Sequence, residues 1–184
     1  RVQCLPREAA PAARFALAIA EIGERHQGVT TVGHAQCWPG VVTAVAGETR
    51  ITMDMRHIDA GELRAMFDEA HDAAAAAAEA EGCTVEWEHI FRIPPMPFHP
   101  ALLEAAHQSV REVEGHDFEL PSGALHDASE VAREIPTVMI FSSSIAGLSH
   151  TKEEDTPDEH LHMAADAFDR TCRRAIDLIV AGEL

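Results

Sequence analysis

Positive charge is scarce in this chain: 14 Lys and Arg stand against 31 Asp and Glu in 184 residues, a formal net charge of −17. That balance repels phosphate backbones and anionic headgroups, so nucleic acid and membrane surfaces are not expected partners. No apolar run approaches the roughly 20 residues that cross a bilayer. The longest low-complexity stretch, Ala73–Ala78, is framed by Asp72 and Glu79 and reads as a water-soluble helix. Cys4, Cys37, Cys83 and Cys172 lie far apart with no C-x-x-C pair, which removes zinc-ribbon and thioredoxin chemistry. Reduced, mostly buried thiols in a cytoplasmic protein are the expectation. A Gly-rich phosphate loop, a G-x-S-x-G elbow and an H-E-x-x-H helix are all missing, so nucleotide transfer, serine hydrolysis and single-zinc proteolysis lack their signatures. The chain opens Arg-Val-Gln-Cys with no Met, basic n-region or apolar h-region. No targeting segment is read there, and the natural N-terminus is expected upstream.

What is present fits a globular protein: 46% of residues are hydrophobic and 24% charged, enough for one domain or two small ones. Histidine is abundant, 12 residues, and neutral imidazole is the commonest transition-metal ligand, so composition hints at metal. Near-helical spacing of Phe15, Leu17, Ile19 and Ile22 predicts a helix from Pro6 to about Arg25, ended by Gly28. Val29–Trp38 and Thr49–Arg56 read as strands, the second alternating Ile51, Met53 and Met55 with Thr52, Asp54 and Arg56. Turns fall at Pro39-Gly40 and Ala46-Gly47. Asp59 is a plausible N-cap for a helix over about 60–80 that Gly82 stops. Cys83–Ile93 then alternates like another strand. Helix, strand, strand, helix, strand is a split βαβ arrangement lacking its first strand, which would precede Arg1.

The run Ile93-Pro94-Pro95-Met96-Pro97 cannot be helical and marks the boundary between a unit at 1–93 and one at 94–184. In the second unit the sequence predicts a helix over about 100–114, a short helix near Asp127–Arg133 and a core strand at Thr137–Phe141. A closing amphipathic helix over 159–180 carries Ala164, Ala167, Phe168, Cys172, Ala175 and Ile179 on one stripe.

Three stretches could carry chemistry. Gly147-Leu148-Ser149-His150-Thr151-Lys152-Glu153-Glu154 follows a predicted strand, where ligands of α/β sheets usually bind, and a neutral His150 could hold a metal. The plain alternative is a solvent-facing or capping histidine. In Pro121-Ser122-Gly123-Ala124-Leu125-His126-Asp127-Ala128, small residues allow close backbone approach and His-Asp supplies a donor and an acceptor. Alternatively Asp127 simply N-caps the next helix. Asp54-Met55-Arg56-His57 ends a predicted strand with a planar fork suited to a substrate carboxylate, although strand-end arginines are usually solvated charges. His160 and His162 form a weak alternative metal pair, since residues two apart on a helix diverge.

In this order, the three stretches resemble the zinc amidohydrolases of the hydantoinase/carbamoylase type: N-carbamoyl-L-amino-acid hydrolases, ureidopropionases and allantoate amidohydrolases. These are relatives of the aminoacylase and carboxypeptidase G metallopeptidases. Residues 121–128 match P-S-G-A-G-H-D-A, residues 136–141 match P-x-x-M-I-F, and residues 147–154 match G-[IL]-S-H-x-x-x-E. Residues 39–43 resemble P-G-x-x-N, with Thr43 where an asparagine is usual, and Leu125 replaces a glycine.

The resemblance implies an α/β fold: an α+β lid and dimerisation domain at 1–93, and the C-terminal part of a metallopeptidase-like catalytic domain at 94–184. It implies His150 as a ligand in a centre of two divalent ions, zinc or else manganese, cobalt or nickel. Arg56 is implied as the grip on the substrate carboxylate, with Thr43, Gly123, Ala124 and His126 as further substrate contacts. The family's catalytic residues and other metal ligands have no counterpart from Arg1 onward, so at most one ligand is present. The chain is therefore expected to be the C-terminal portion of a roughly twice-longer cytoplasmic enzyme. The implied activity is metal-dependent hydrolysis of N-carbamoyl (ureido) amino acids or allantoate-like substrates, in a homodimer formed through the lid. The alternatives are a non-catalytic lid module or metal-less remnant, and an aminoacylase or dipeptidase on the same scaffold.

Overall fold

The prolines that interrupt the sequence at 94–97 mark where the chain divides: Arg1–Pro95 forms one compact unit and Met96–Leu184 the other. The structure, a computed structural model, describes the backbone of residues 2 and 3 and all of residues 9–149 and 151–184.

The first unit runs β1 (Val2–Gln3), α1 (Ala10–His26), β2 (Val29–Trp38), β3 (Glu48–Arg56), α2 (Ala60–Ala80) and β4 (Thr84–Val85). Its four-stranded sheet has the order β2-β3-β1-β4, with every neighbouring pair antiparallel. This is the β-α-β-β-α-β arrangement of ferredoxin-like units. The strand expected upstream of Arg1 is supplied by Val2–Gln3, with Val2 lying opposite both Thr49 and Val85.

Helix α1 starts at Ala10, with Pro11 in its first turn where the missing N–H costs nothing. The expected start at Pro6 and Glu8 lies outside the described residues, as does Cys4. Gln27 takes the left-handed conformation, and the Gly28 N–H closes onto the Gly23 carbonyl at 2.9 Å. Asp59 caps α2 as expected, its Oδ1 accepting from the Gly61 and Glu62 N–H groups at 2.7 and 2.9 Å. One side of the sheet and the two helices enclose Phe15, Ile19, Ile22, Met66, Ala70 and Ala74, with Val32, Ile51, Met53 and Met55 packed against them. The alternation read in β3 thus has its apolar set on the core side. A bulge between Val32 and His34 keeps both halves of β2 in phase with β3.

The strand expected over 83–93 shortens to Thr84–Val85. Among the described residues it pairs with β1 through Val2 opposite Val85 and Gln3 opposite Thr84. Trp87 nevertheless enters the core, with Phe15 edge-on at 5.8 Å and His71 stacked at 4.0 Å.

The second unit contains α3 (Pro100–Glu114), α4 (Asp127–Val131), a 3-10 turn at Ile145–Gly147 and α5 (Asp158–Ala181). Leu102, Ala105, Ala106 and Ser109 of α3 and Ala167 and Thr171 of α5 are its buried side chains. Arg174 donates to Ser109 Oγ at 3.0 Å, and Arg170 and Arg174 both reach Glu112. Two expectations are corrected here. Residues 137–141 are not a strand: the His99 N–H bonds the Thr137 carbonyl at 3.0 Å, but among the described residues no neighbouring strand offers them a ladder. On α5, Phe168 and Ile179 are 62% and 60% exposed, because small residues set the closely packed face.

Candidate functional site

Arg56 is the last residue of β3 and lies opposite Val29 of β2. With Thr52 and Asp54 it belongs to the face turned away from the core, since successive strand residues alternate sides. Asp54 Oδ2 accepts from Arg56 Nε at 2.5 Å, a charge-assisted bond between side chains two residues apart on one face. The arginine side chain is 53% exposed.

The backbone around Arg56 is pinned from both sides. His57 Nδ1 accepts the Asp59 N–H at 2.9 Å. Asp59 in turn caps α2, and the Glu62 and Gly61 N–H bonds hold its carboxyl below the usual carboxylate range. On the other side, a Cβ at Gly28 would lie 2.6 Å from Met66 Cε and 3.0 Å from the Arg56 carbonyl, so a larger residue there would have to displace the buried Met66 side chain.

Thr43 occupies the β2–β3 loop, exposed, at the other end of the hairpin. The loop is closed by the Gly47 N–H on the Trp38 carbonyl at 2.9 Å. With nine residues, β3 is about 25 Å long, so the hairpin does not bring Thr43 and Arg56 together.

In the second unit, Gly123 is exposed and Ala124 half-buried; Ser122 Oγ donates to the Ala124 carbonyl at 2.6 Å. A Cβ at Gly123 would meet open space. His126, not Asp127, is the N-cap residue of α4, and its carbonyl accepts from Ser129 N–H at 3.0 Å and Ser129 Oγ at 2.7 Å. Asp127 is the first helical residue, so the simple capping alternative for it does not hold. The exposed His126 ring meets Phe141 edge-on at 6.1 Å.

His150 lies outside the described residues. The polar segment around it is internally tied: the Ile145 N–H bonds the Asp155 carbonyl at 2.8 Å and Thr156 Oγ1 bonds the Ser143 carbonyl at 2.9 Å. Ser143 Oγ and His160 Nδ1 are 2.5 Å apart, which engages His160 with a hydroxyl. Among the described residues, no group of three or more His, Cys, Asp or Glu stands together as a metal donor set, and no helix is long and apolar enough to cross a membrane.

Two further histidines, His26 and His107, each lie between two carboxylates. His26 lies between Glu62 and Glu69, at 2.7 and 2.8 Å from its two ring nitrogens, and Arg25 also reaches Glu69. His107 lies between Asp117 and Glu119 at 2.5 and 3.0 Å, with Arg111 also on Asp117. Hydrogen bonds to Glu62 and Glu69 raise His26 above its ordinary value, and Glu119 and Asp117 do the same for His107. The i, i+7 spacing of Glu62 and Glu69 on one helix face was the available signal for the first.

Compared with known proteins, residues 4–174 match the profile of peptidase family M20/M25/M40. The chain belongs to that family. Within M20/M25/M40 relatives, it is 28% identical over 145 residues to an N-carbamoyl-L-amino-acid amidohydrolase of Paenarthrobacter aurescens, covering 79% of this chain and 35% of that protein. It is 30% identical over 128 residues to an allantoate amidohydrolase of Escherichia coli, covering 70% of this chain and 31% of that protein. An amidase of the hydantoinase/carbamoylase family from Burkholderia multivorans superposes with a TM-score of 0.82 at 28% identity, over 95% of this chain and 46% of the solved one. The M20 chain described here therefore spans about a third of the length of these curated relatives.

Proposed function

We propose that this chain is the substrate-clamping part of an amidohydrolase acting on N-carbamoyl amino acids or allantoate-like ureido acids. The reaction class follows the names of the relatives. The observation that supports the reading in this chain is Arg56, a half-exposed guanidinium at a strand end with its Nε engaged by Asp54. A guanidinium fork suits the carboxylate common to these substrates.

Hydrolysis of a carbamoyl amino acid breaks the bond between the carbamoyl carbon and the amino nitrogen: the hydroxyl of water goes to the carbon, which leaves as carbamic acid and breaks down to carbon dioxide and ammonia, and the proton goes to the nitrogen of the released amino acid. In this reading Arg56 orients the acid, and Gly123, Ala124, His126 and Thr43 contact the remainder. Residues 1–93 act as lid and dimerisation domain, and 94–184 as the C-terminal part of the catalytic domain. The exposed outer side of edge strand β2 offers hydrogen bonds to a second copy in a homodimer. His150 is proposed as a ligand of a two-metal centre, with zinc, manganese, cobalt or nickel as candidate ions. Among the described residues no group of three or more metal donors stands together, and His150 lies outside them; the role of the described residues in this reading is binding and orientation. The cytoplasm is the proposed compartment. A carboxylate clamp suits any N-acylated amino acid, so Arg56 does not by itself select the acyl group.

Titration of the chain with N-carbamoyl-L-alanine, followed by calorimetry, tests the reading. A contact to a charged group is worth about 1.5–3 kcal/mol when desolvated and less when exposed, so Arg56→Ala should weaken binding about threefold to tenfold. A loss below about threefold overturns Arg56 as the clamp.

A further inference from the structure

We infer that Asp54 is the positioning residue of Arg56, fixing the plane in which the guanidinium meets a carboxylate ligand. The inference rests on the reading of Arg56 as the carboxylate clamp. An arginine carries large rotamer freedom, and at a half-exposed strand end that freedom is lost each time a ligand binds. Asp54 removes part of it beforehand. The two residues share one face of β3, and the 2.5 Å bond to Nε joins the guanidinium to the strand at a second point. Nε lies in the guanidinium plane, so a carboxylate there restrains the plane rather than only the charge. The strand is itself held at this point, with Asp54 opposite Thr31 and Arg56 opposite Val29 in the β2–β3 ladder.

The alternative role for Asp54 is a competing anion, and the two roles predict opposite signs. Removing a negative charge beside an anionic ligand strengthens binding by simple electrostatics. Removing a positioning contact weakens it. Asp54→Asn keeps an acceptor for Nε without the charge, whereas Asp54→Ala keeps neither.

The test is ¹⁵N–¹H spectroscopy of the arginine Nε–H signals of the full chain during titration with N-carbamoyl-L-alanine. Wild-type Arg56 should show slowed solvent exchange at Nε–H and a ligand-induced shift. Asp54→Ala should accelerate that exchange and weaken binding about threefold to tenfold, with Asp54→Asn binding at least as well as Asp54→Ala. If Arg56 responds in the wild type but Asp54→Ala binds equally or more tightly, or Asp54→Asn binds less tightly than Asp54→Ala, the inference is overturned and the clamp stands. If wild-type Arg56 does not respond to ligand at all, the clamp is overturned and the inference with it.

Discussion

In the first unit, two helices and a sheet place Phe15, Ile19, Ile22 and Met66 at 4% exposure or less, whereas the second unit buries mainly the small side chains between α3 and α5. Phe118, Leu120, Leu125, Ile135 and Phe168 of the second unit are each at least 58% exposed. The two units differ less in apolar content than in closure. Where β-strands pair and helices cover them, alternating residues become core; where 137–141 has no ladder, similar residues stay half in water. Regular sequence pattern buries side chains only when a second layer receives it.

The largest expected effect is in the closed core. Met66→Ala should lower the unfolding free energy by about 2–5 kcal/mol, read by urea denaturation with tryptophan fluorescence. Both tryptophans, Trp38 and Trp87, lie in the first unit, so that signal reports it alone. Leu102→Ala in the second unit should cost less, followed by circular dichroism, because Leu102 lines an open apolar groove of about 270 Å³ with Ile135, Pro136 and Ala175. Equal costs at the two positions would break the contrast.

Next in size is the pH dependence the two units share. His26 and His107 are both raised by flanking carboxylates, so each contributes stability that is fully present below the ordinary histidine value and is lost as pH rises through the raised folded value. Glu69 is lowered by Arg25 and His26, and its contribution is lost on the acid side, as pH falls through its folded value. Melting temperature across pH 6 to 9, both values taken as about the span around a histidine's ordinary range, should fall toward the alkaline end. His26→Gln should flatten the fluorescence-detected slope and leave the second unit's slope unchanged; a retained slope would mean the Glu62–His26–Glu69 bridge does not fasten α1 to α2.

The smallest effect sharpens the contrast from the other side. Phe168→Ser on the exposed face of α5 should change stability by no more than about 0.5 kcal/mol in the same denaturation experiment, despite the size of the ring removed. A cost comparable to that of Met66→Ala would show that this face is covered in solution.

Much of the first unit was legible locally. The β3 alternation, the Asp59 cap and the 60–80 helix need only neighbours in sequence, and each stands where its pattern put it. The extent of the strands expected after Cys83 and at 137–141 was not legible, because a strand forms only through pairing with another segment of the chain. The loop motifs at 121–128 and 147–154 identified a family, and residues 4–174 match one. They gave no access to the bond that engages Arg56 Nε, nor to the enclosure of His26 by Glu62 and Glu69, since these depend on rotamers and on the packing of one helix against another.

What the chain determined by itself were periods, caps and breaks: residues every two or three to four positions, an aspartate before a helix, prolines between units. Those are short-range preferences of backbone and side chain, and they hold wherever the segment is placed. Which apolar faces became core, which histidine met two carboxylates and which arginine was bonded at its Nε were decided only on folding. Each of those outcomes is a meeting of groups from different segments or of rotamers within one, and its energy exists only when the tertiary structure holds them within contact distance.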